Sequence, residues 1–326
     1  MIIPSQKLNP RWKQLNVEQV PIREGFGQGL LAAAEQDERI VGLCADLTES
    51  TKMHHFREKF PQRFIQVGVA EQNLATVASG IAAMGKIPFI SSYACFSPGR
   101  NWEQIRTTIC YNHRPVKIAG SHAGVSVGPD GGSHQALEDI AITRVLPRME
   151  VVVPADALEA KKATLAIAKT ENPSYLRLGR EATPVITTEA SPFILGKANL
   201  LRDAETIDVG IIACGTLVYQ ALMAAEALKA EGIEVAVLNV HTIKPLDREA
   251  IVNLAHHAKV IVTAEEHQRA GGLGSAVAEL LSANYPVPIE FIGVPDQFGQ
   301  SGAPMELMAH YGLDVTAIKA AVKKVL

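Results

Sequence analysis

Short, β-branched hydrophobic runs recur along this chain, and they constrain its fold more than any other feature. Most of them lack the alternation of apolar and polar residues that marks a half-exposed strand, which is typical of strands buried on both faces. Strands are predicted at residues 40–44, 87–91, 116–119, 150–153, 209–213, 235–240, 260–263 and 289–294. Parallel sheets bury their strands in this way, so the runs favour mainly parallel sheets.

Segments with helical periodicity and Ala-rich faces lie between the runs. Helices are predicted at residues 73–84, 157–169, 217–230 and 274–282, with a closing amphipathic helix at 314–326. Alternating strands and helices indicate a parallel sheet with helices on both sides. The pattern breaks at 181–192, which is rich in turn formers and poor in core residues. We therefore predict an α/β fold of two doubly wound domains, at residues 1–185 and 192–326.

Composition and charge exclude several classes of protein. With 47% hydrophobic residues among 326, the chain can bury a substantial core, and its net charge of -3 offers no basic field for nucleic acid or a membrane surface. No signal peptide or apolar run of the roughly 20 residues that span a bilayer is visible, so a cytoplasmic location is expected. The four cysteines form no C-x-x-C pair, which predicts reduced thiols and no structural zinc. The histidine pairs at 54–55 and 256–257 are interpreted as solvated surface.

A carboxylate at position 71 stands out as a candidate functional group. It belongs to the sequence Val-Gly-Val-Ala-Glu-Gln-Asn at 67–73, just after the short run Arg-Phe-Ile-Gln at 63–66. On one interpretation Glu71 only opens a helix and complements its dipole. On the other, a carboxylate beneath a mostly apolar helix start is partly desolvated and can share a proton with a ligand nitrogen.

A glycine-rich stretch at 121–135, called the glycine loop below, follows the predicted strand at 116–119. Loops at the carboxyl ends of parallel strands are where open α/β sheets bind their ligands. Its four glycines let the backbone approach a ligand closely, while His122, Asp130 and His134 offer exchangeable donors and acceptors. The alternative is a flexible surface loop with incidental polar residues.

Two further sets of residues have both a structural and a functional interpretation. The aromatic residues Tyr93 and Phe96 follow another predicted strand, and they serve either as core or as a platform for a flat ligand. The second set consists of three arginines, Arg23, Arg177 and Arg180. They are either solvated surface residues or, together with Ser50 near a strand end, a cluster that binds phosphate.

Two glycine motifs give weaker signals. Residues 25–29 carry three glycines but lack a preceding strand and the full dinucleotide-binding fingerprint. Residues 271–274 open a predicted helix, where close packing and anion binding explain the glycines equally well.

Together these residues resemble a known family. From about Arg23 to Leu326 the chain is similar to the second half of transketolases, namely the thiamine diphosphate-binding pyrimidine domain plus the transketolase C-terminal domain. The resemblance rests on Gly-Val-Ala-Glu-Gln-Asn at 68–73 and Gly-Pro-Asp-Gly-Gly-Ser-His-Gln at 128–135, and more loosely on 265–274 and 293–302. It implies thiamine diphosphate as cofactor and ketol transfer between sugar phosphates of the pentose phosphate pathway.

The resemblance also implies a role for each candidate residue of the cofactor site. Glu71 matches the catalytic glutamate that hydrogen-bonds the aminopyrimidine ring nitrogen and so activates the cofactor. Tyr93 and Phe96 match the aromatic residues that hold the pyrimidine ring, which favours the ligand interpretation of that pair. Asp46 and Leu47 match residues near the thiazolium and the dimer contact.

Substrate residues follow from the same resemblance. Asp130 and His134 match groups that read the sugar hydroxyls, and His134 is also a candidate for relaying protons. The substrate-phosphate cluster of the family is matched by four separated positions, namely Arg23, Ser50, His122 and Arg180. The segment at 97–103 is one residue longer than in full-length transketolases and is similar to the split forms.

The resemblance finally implies a partner subunit. No Gly-Asp-Gly followed by a downstream Asn occurs in this sequence to bind the diphosphate through a metal ion. We therefore expect an N-terminal subunit to hold the diphosphate and its Mg²⁺ (or Ca²⁺), in an α2β2 assembly that is active only when complete. No metal site is expected on this chain.

Several alternatives stay open from the sequence. The chain is also similar to the C-terminal part of deoxyxylulose-phosphate synthase and to the β-subunit of 2-oxo-acid dehydrogenases. A transketolase for an unusual sugar, branched or sulfonated, is a further alternative. A non-catalytic regulatory homologue is disfavoured by Glu71, because an unneeded desolvated carboxylate only costs stability.

Overall fold

The fold was obtained as a computed structural model that describes residues 1–326, and it contains fourteen strands and eleven helices. The strands are β1 (Gln19–Pro21), β2 (Ile40–Cys44), β3 (Phe64–Gln66), β4 (Ile87–Tyr93), β5 (Lys117–Ser121), β6 (Glu150–Val152), β7 (Ser174–Arg177), β8 (Ala182–Pro184), β9 (Asn199–Arg202), β10 (Ile207–Ala213), β11 (Val235–Asn239), β12 (Thr242–Lys244), β13 (Ala258–Gln268) and β14 (Ile289–Val294). The helices are α1 (Ile22–Gln36), α2 (His54–Lys59), α3 (Glu71–Ala83), α4 (Trp102–Gln104), α5 (Asp139–Arg144), α6 (Ala157–Ile167), α7 (Leu217–Lys229), α8 (Arg248–His257), α9 (Leu273–Asn284), α10 (Pro304–His310) and α11 (Val315–Val325). A π-helical stretch, Ile105–Tyr111, continues α4.

Seven strands form the first sheet, in the order β12-β6-β7-β5-β4-β2-β3. All neighbours are parallel except the edge strand β12, which comes from the second half of the chain and pairs antiparallel with β6. Side chains alternate between the two faces, so Ile40 and Phe89 pack in one cluster and Leu43 and Ile90 in another. Helices therefore cover both faces, as predicted.

Five strands form the second sheet, in the order β14-β13-β10-β11-β9, with only the edge strand β9 antiparallel. Residues of α7 and α11 pack on one face. Residues of α8 and α9 pack on the other, in a cluster that continues from Ile212 of this sheet to Ile90 of the first. The mainly parallel α/β architecture is thus confirmed.

Helix α1 was not predicted, and its glycines explain why. A Cβ on Gly25 would lie 1.8 Å from the carbonyl oxygen of Ala157, and one on Gly29 would lie 2.8 Å from that of Lys161. The glycines therefore let α1 pack closely against α6, so the motif at 25–29 serves packing and not dinucleotide binding.

The segment at 181–192 is more ordered than its composition predicts. It contains β8, which pairs antiparallel with β1, and its residues Val185 and Ile186 are buried. The carboxylate of Asp156 accepts hydrogen bonds of 2.9 and 2.7 Å from the backbone N–H groups of Ile186 and Thr187. Few of its residues are in the core, as predicted, but a buried acid from the first half of the chain anchors the connection.

No helix of the structure combines the length and the apolar character that crossing a membrane requires.

Candidate active site

The candidate residues gather at the carboxyl edge of the first sheet. Leu47 and the exposed Asp46 follow β2, Tyr93 ends β4, and His122 follows β5. Parallel strands present their carboxyl ends at one edge, so residues far apart in sequence meet there. Asp46 has a φ of 61° and its N–H donates to Oε1 of Gln66 at 2.7 Å, which fixes the turn after β2.

Glu71 is the first residue of α3, and its side chain is only 1% exposed. Its Oε2 accepts a 2.8 Å hydrogen bond from Nη1 of Arg100, and its Oε1 accepts one of 3.2 Å from Oγ of Ser92. Asn101 Nδ2 donates to its backbone carbonyl at 2.9 Å. Glu71 therefore opens a helix and is also a buried carboxylate with specific partners, which is the environment that the second interpretation requires.

Aromatic side chains form a wall beside this carboxylate. The rings of Tyr93 and Phe96 are nearly parallel, with centroids 6.2 Å apart and 12° between their planes. His122 stacks on Tyr93 at 3.8 Å, and His134 meets Phe96 edge-on at 5.5 Å. The guanidinium of Arg100 lies 4.8 Å from the centre of the Phe96 ring, so it touches both the wall and Glu71.

A basic cluster adjoins the wall. Arg23 Nη1 donates to the backbone carbonyl of Ser50 at 2.7 Å and lies 3.2 Å from Nε2 of His122. Since arginine only donates, Nε2 accepts, and Nδ1 carries the proton that His122 donates to Oγ of Ser121 at 2.8 Å. Burial, reinforced by Arg23 and then Arg180, lowers the pKa of His122 to about 3, so the ring is neutral.

Arg180 lies at the other side of this cluster. Its Nη1 donates to the carbonyl of Val127 at 2.6 Å and lies 3.5 Å from Oδ1 of Asp130. Burial is the main cause that lowers the pKa of Arg23, and the positive charge of Arg180 is the second. The two guanidinium groups are therefore close enough for their charges to interact. Two neighbouring guanidinium groups can bind an anion. Nε of Arg180 also lies 3.6 Å from Oε1 of Glu181, so this cation has a second carboxylate neighbour beside Asp130.

Arg177 does not belong to the basic cluster, although the sequence allowed a phosphate-binding cluster of Arg23, Arg177 and Arg180. It is 6% exposed, and its Nε donates to Oδ2 of Asp139 at 2.8 Å. The same carboxylate oxygen accepts a 2.6 Å hydrogen bond from the hydroxyl of Tyr175. Arg177 is therefore a buried structural cation.

The four glycines of the glycine loop are approached by other parts of this chain. A Cβ on Gly124 would lie 2.1 Å from Oε1 of Glu266, and one on Gly131 would lie 2.6 Å from Oγ of Ser301. Those on Gly128 and Gly132 would meet Pro304 at 2.9 Å and the carbonyl of Gly299 at 2.5 Å. The expectation that these glycines admit a ligand was wrong, because the second half of the chain fills the space.

The helix start at 271–274 is occupied by the protein itself. Both oxygens of the buried Glu265 carboxylate accept hydrogen bonds, of 2.7 Å from Leu273 N and 2.8 Å from Gly274 N. A Cβ on Gly272 would lie 2.0 Å from Oε2 of Glu265. An internal carboxylate thus takes the anion position, which favours the packing interpretation.

Histidines and cysteines form no metal site, since no group of three or more His, Cys, Asp or Glu side chains is arranged to hold a metal ion. All four cysteines are free thiols, as predicted. His256 and His257 are exposed, but His54 and His55 are half-buried, and His55 Nε2 lies 2.9 Å from Oε1 of Glu24. The surface interpretation was therefore wrong for that pair.

Sequence reasoning missed Arg100, Ser92 and Ser121. Arg100 lies in the segment at 97–103 whose extra length the sequence already shows, and that was the one available signal. Ser92 lies in β4 beside Tyr93, and Ser121 precedes His122, so both were hidden within motifs assigned to their neighbours.

Comparison with known proteins places this chain in a family. The family model for the transketolase pyrimidine-binding domain matches residues 18–185, and that for the transketolase C-terminal domain matches residues 196–318. A Methanocaldococcus jannaschii protein named as a transketolase C-terminal section is 43% identical over 300 residues, which cover 91% of this chain and 93% of that protein. A 6-deoxy-6-sulfo-D-fructose transketolase subunit from Clostridium sp. strain MSTE9 is 41% identical, over 96% of each chain.

Solved structures agree with the sequence comparisons. A structure described as a split gene transketolase, inactive beta4 tetramer, is 46% identical and superposes with a TM-score of 0.87, covering 94% of this chain and 98% of that one. The resemblance seen in the motifs is thus confirmed. This chain belongs to the transketolase family, as a C-terminal section that comprises the pyrimidine-binding and C-terminal domains.

Proposed function

We propose that this chain is the C-terminal subunit of a split transketolase, which moves a two-carbon ketol unit between a ketose phosphate and an aldose phosphate. One observation carries the proposal: a buried carboxylate, Glu71, lies beside an aromatic wall and a two-arginine cluster at one sheet edge. The relatives of similar length support the split organisation, because this chain covers 93% of the first and 96% of the second.

The residues present fit the aminopyrimidine ring of thiamine diphosphate. Oε2 of Glu71 is bonded to a side chain that is 49% exposed, so that oxygen can be released to a ring nitrogen. Tyr93 and Phe96 offer flat apolar surface to the ring. Asp46 and Leu47, at the end of β2, are placed toward the thiazolium end in this proposal.

Each residue then has a stated task. The chemistry that the cofactor supplies when bound is a nucleophilic carbanion and an electron sink for carbon–carbon cleavage. Glu71 holds the proton shared with the ring nitrogen. His134 and Asp130 orient the donor hydroxyls, and His134 relays protons. Arg23 and Arg180 bind the terminal anion and thereby position the reacting carbons.

Two of the roles are specified further in this proposal. Ser50 acts through its backbone carbonyl, which fixes Arg23. His122 is neutral and accepts from Arg23, so we assign it to orienting that arginine beside the anion. In this proposal the N-terminal subunit holds the diphosphate and its Mg²⁺ (or Ca²⁺), and the enzyme is an α2β2 heterotetramer.

A sulfonated donor is the second candidate. The Clostridium relative is named for 6-deoxy-6-sulfo-D-fructose, and a sulfonate carries a terminal anion that two arginines also bind.

Reconstitution tests the proposal. The chain should give no ketol transfer alone with thiamine diphosphate and Mg²⁺, and should gain it when mixed with an N-terminal transketolase subunit. Ribose 5-phosphate as acceptor, with xylulose 5-phosphate or sulfofructose as donor, distinguishes the two candidate substrates. Robust turnover by the chain alone would refute the split-subunit assignment, and no turnover with any partner would refute the activity.

A further inference from the structure

The glycine loop is bounded by the C-terminal domain along much of its length. Residues 266, 299, 301 and 304 occupy the space beside its four glycines, and all four belong to the part matched by the C-terminal family model. The amide of Gln135, at the end of the loop, also donates from Nε2 to the carbonyl of Gln300 at 3.0 Å. The C-terminal domain therefore packs against the backbone segment that carries His122, Asp130 and His134.

Glu266 makes the most direct of these contacts. Its side chain is buried, Oε1 accepts a 2.7 Å hydrogen bond from the backbone N–H of Ser126, and Oε2 accepts one of 3.0 Å from Oγ1 of Thr216. Its backbone carbonyl accepts a 2.8 Å hydrogen bond from Nη2 of Arg177. One residue thus holds the glycine loop, the start of α7 and the buried cation of the first domain together.

The charge of Glu266 suits this task. A carboxylate that accepts from a backbone N–H and a hydroxyl makes two charge-assisted bonds, which are stronger and more directional than neutral ones. Gly124, with a φ of 89°, turns the loop against Oε1, where no side chain fits. The carboxylate therefore fixes the loop at Ser126, four residues before Asp130.

We propose that Glu266 is a positioning residue for substrate binding, through which the C-terminal domain fixes the glycine loop. The proposal rests on the proposed function for its substrate, and on geometry alone for the loop. It gives the C-terminal domain a task in a site whose candidate residues all belong to the pyrimidine-binding domain.

The neighbouring Glu265 provides a matched control. It is equally buried and also accepts two hydrogen bonds, but from the backbone of α9 and not from the loop. The variants E266A and E265A therefore remove similar bonds at adjacent positions, and E266Q restores both bonds if the Thr216 hydroxyl accepts instead of donating.

Hydrogen exchange of the chain alone gives the first readout. The amides of Gly131 and His134 bond within the loop, to Gly128 and Gly131, and neither bonds Glu266 directly. E266A should speed exchange of both amides by about tenfold, while E265A and E266Q leave them near wild type. Unchanged exchange in E266A, or an equal increase in E265A, would overturn the proposal.

Kinetics of the reconstituted enzyme give the second readout. E266A should raise KM for the ketose donor by about tenfold, with a smaller effect on kcat, and E266Q should restore it. A loss confined to kcat, or shared by E265A, would contradict the proposal. If wild type shows no ketol transfer, the proposed function fails while the exchange measurement still decides the role of Glu266.

The variant T216V serves if E266A does not fold. It removes one bond to Glu266 and should speed exchange of the loop amides by about threefold, and unchanged exchange would overturn the proposal.

Discussion

Arg100 donates from Nη1 to Oε2 of Glu71 at 2.8 Å, and so joins a side chain that is 49% exposed to one that is 1% exposed. A buried carboxylate without a partner is costly, and this cation supplies one in the chain by itself. If an aminopyrimidine nitrogen takes the same oxygen, Arg100 must turn away from it, and its exposed position makes that movement inexpensive.

Replacing Arg100 should strengthen cofactor binding. R100M removes the competitor for Glu71 Oε2 and keeps an apolar contact with Phe96, so thiamine diphosphate should bind the reconstituted complex roughly threefold more tightly. Titration of the cofactor by fluorescence measures this. The control R106M changes an exposed arginine of the neighbouring π-helical stretch and should leave the affinity as it is. Weaker binding in R100M would mean that Arg100 helps to hold the cofactor.

Removing the carboxylate should abolish turnover but preserve the fold. E71Q keeps the bond from Ser92 and loses the shared proton, so kcat should fall by about 10² or more, with an unchanged unfolding midpoint. E103Q, an exposed glutamate at the start of α4, serves as the control. Near-normal rates in E71Q would remove Glu71 from the mechanism.

Much of this site could be predicted from the sequence, because its motifs are local. Glu71 and the glycine loop lie in contiguous segments whose residue types already carry the chemistry. The partner of Glu71 could not be predicted, since a turn 29 residues away brings Arg100 to it. The neighbours of the loop glycines were equally hidden, because only the packing of the two domains shows what lies beside them.

The fold was predictable where strands are apolar throughout. The ends of β2 and β14 match the predicted ranges, whereas β7 and β12 were missed. β7 carries Ser174 and Arg177, both buried and satisfied by distant carboxylates, so its sequence does not read as a core strand. β12 is a three-residue edge strand from the other half of the chain, and no local pattern indicates such a pairing.

Acid should destabilise the chain partly through His241. Burial lowers the pKa of this histidine to about 4, and it is fully enclosed, with its ring stacked on Phe193 at 4.3 Å. At pH values between 6.5 and 4, this histidine is protonated in the unfolded chain but neutral in the folded chain. The free energy of unfolding therefore falls as the pH is lowered from 6.5 toward 4. Between pH 6.5 and 5 this amounts to about 1.5 kcal/mol.

Comparison with H241Q isolates this contribution. Glu159, whose pKa burial raises to about 8, acts in the opposite direction, because the folded chain keeps a proton that the unfolded chain releases. Urea unfolding at pH 6.5 and 5 should therefore show that wild type loses about 1.5 kcal/mol more than H241Q. Equal pH dependence in the two proteins would mean that His241 is protonated within the fold.

Replacing Arg180 should weaken the binding of phosphorylated substrates more than that of unphosphorylated ones. R180A leaves Arg23 as the only guanidinium of the cluster, so KM for a phosphorylated donor should rise by about tenfold or more. An unphosphorylated ketol donor should be affected much less, and the ratio of the two KM changes is the measurement. Equal losses for both donors would argue that Arg180 acts through Asp130 and the glycine loop.

Replacing Arg177 should destabilise the chain far more than replacing Arg180, although the two arginines lie only three residues apart near the end of β7. R177M leaves Asp139, which is 1% exposed, with only the Tyr175 hydroxyl as a donor, and removes the bond to the Glu266 carbonyl. An uncompensated buried carboxylate costs about 3–5 kcal/mol, which urea unfolding of the chain alone would measure. R180A changes a half-buried residue and should cost less than about 1 kcal/mol. Similar losses in the two variants would show that Arg177 is not the buried link between the domains that its contacts indicate.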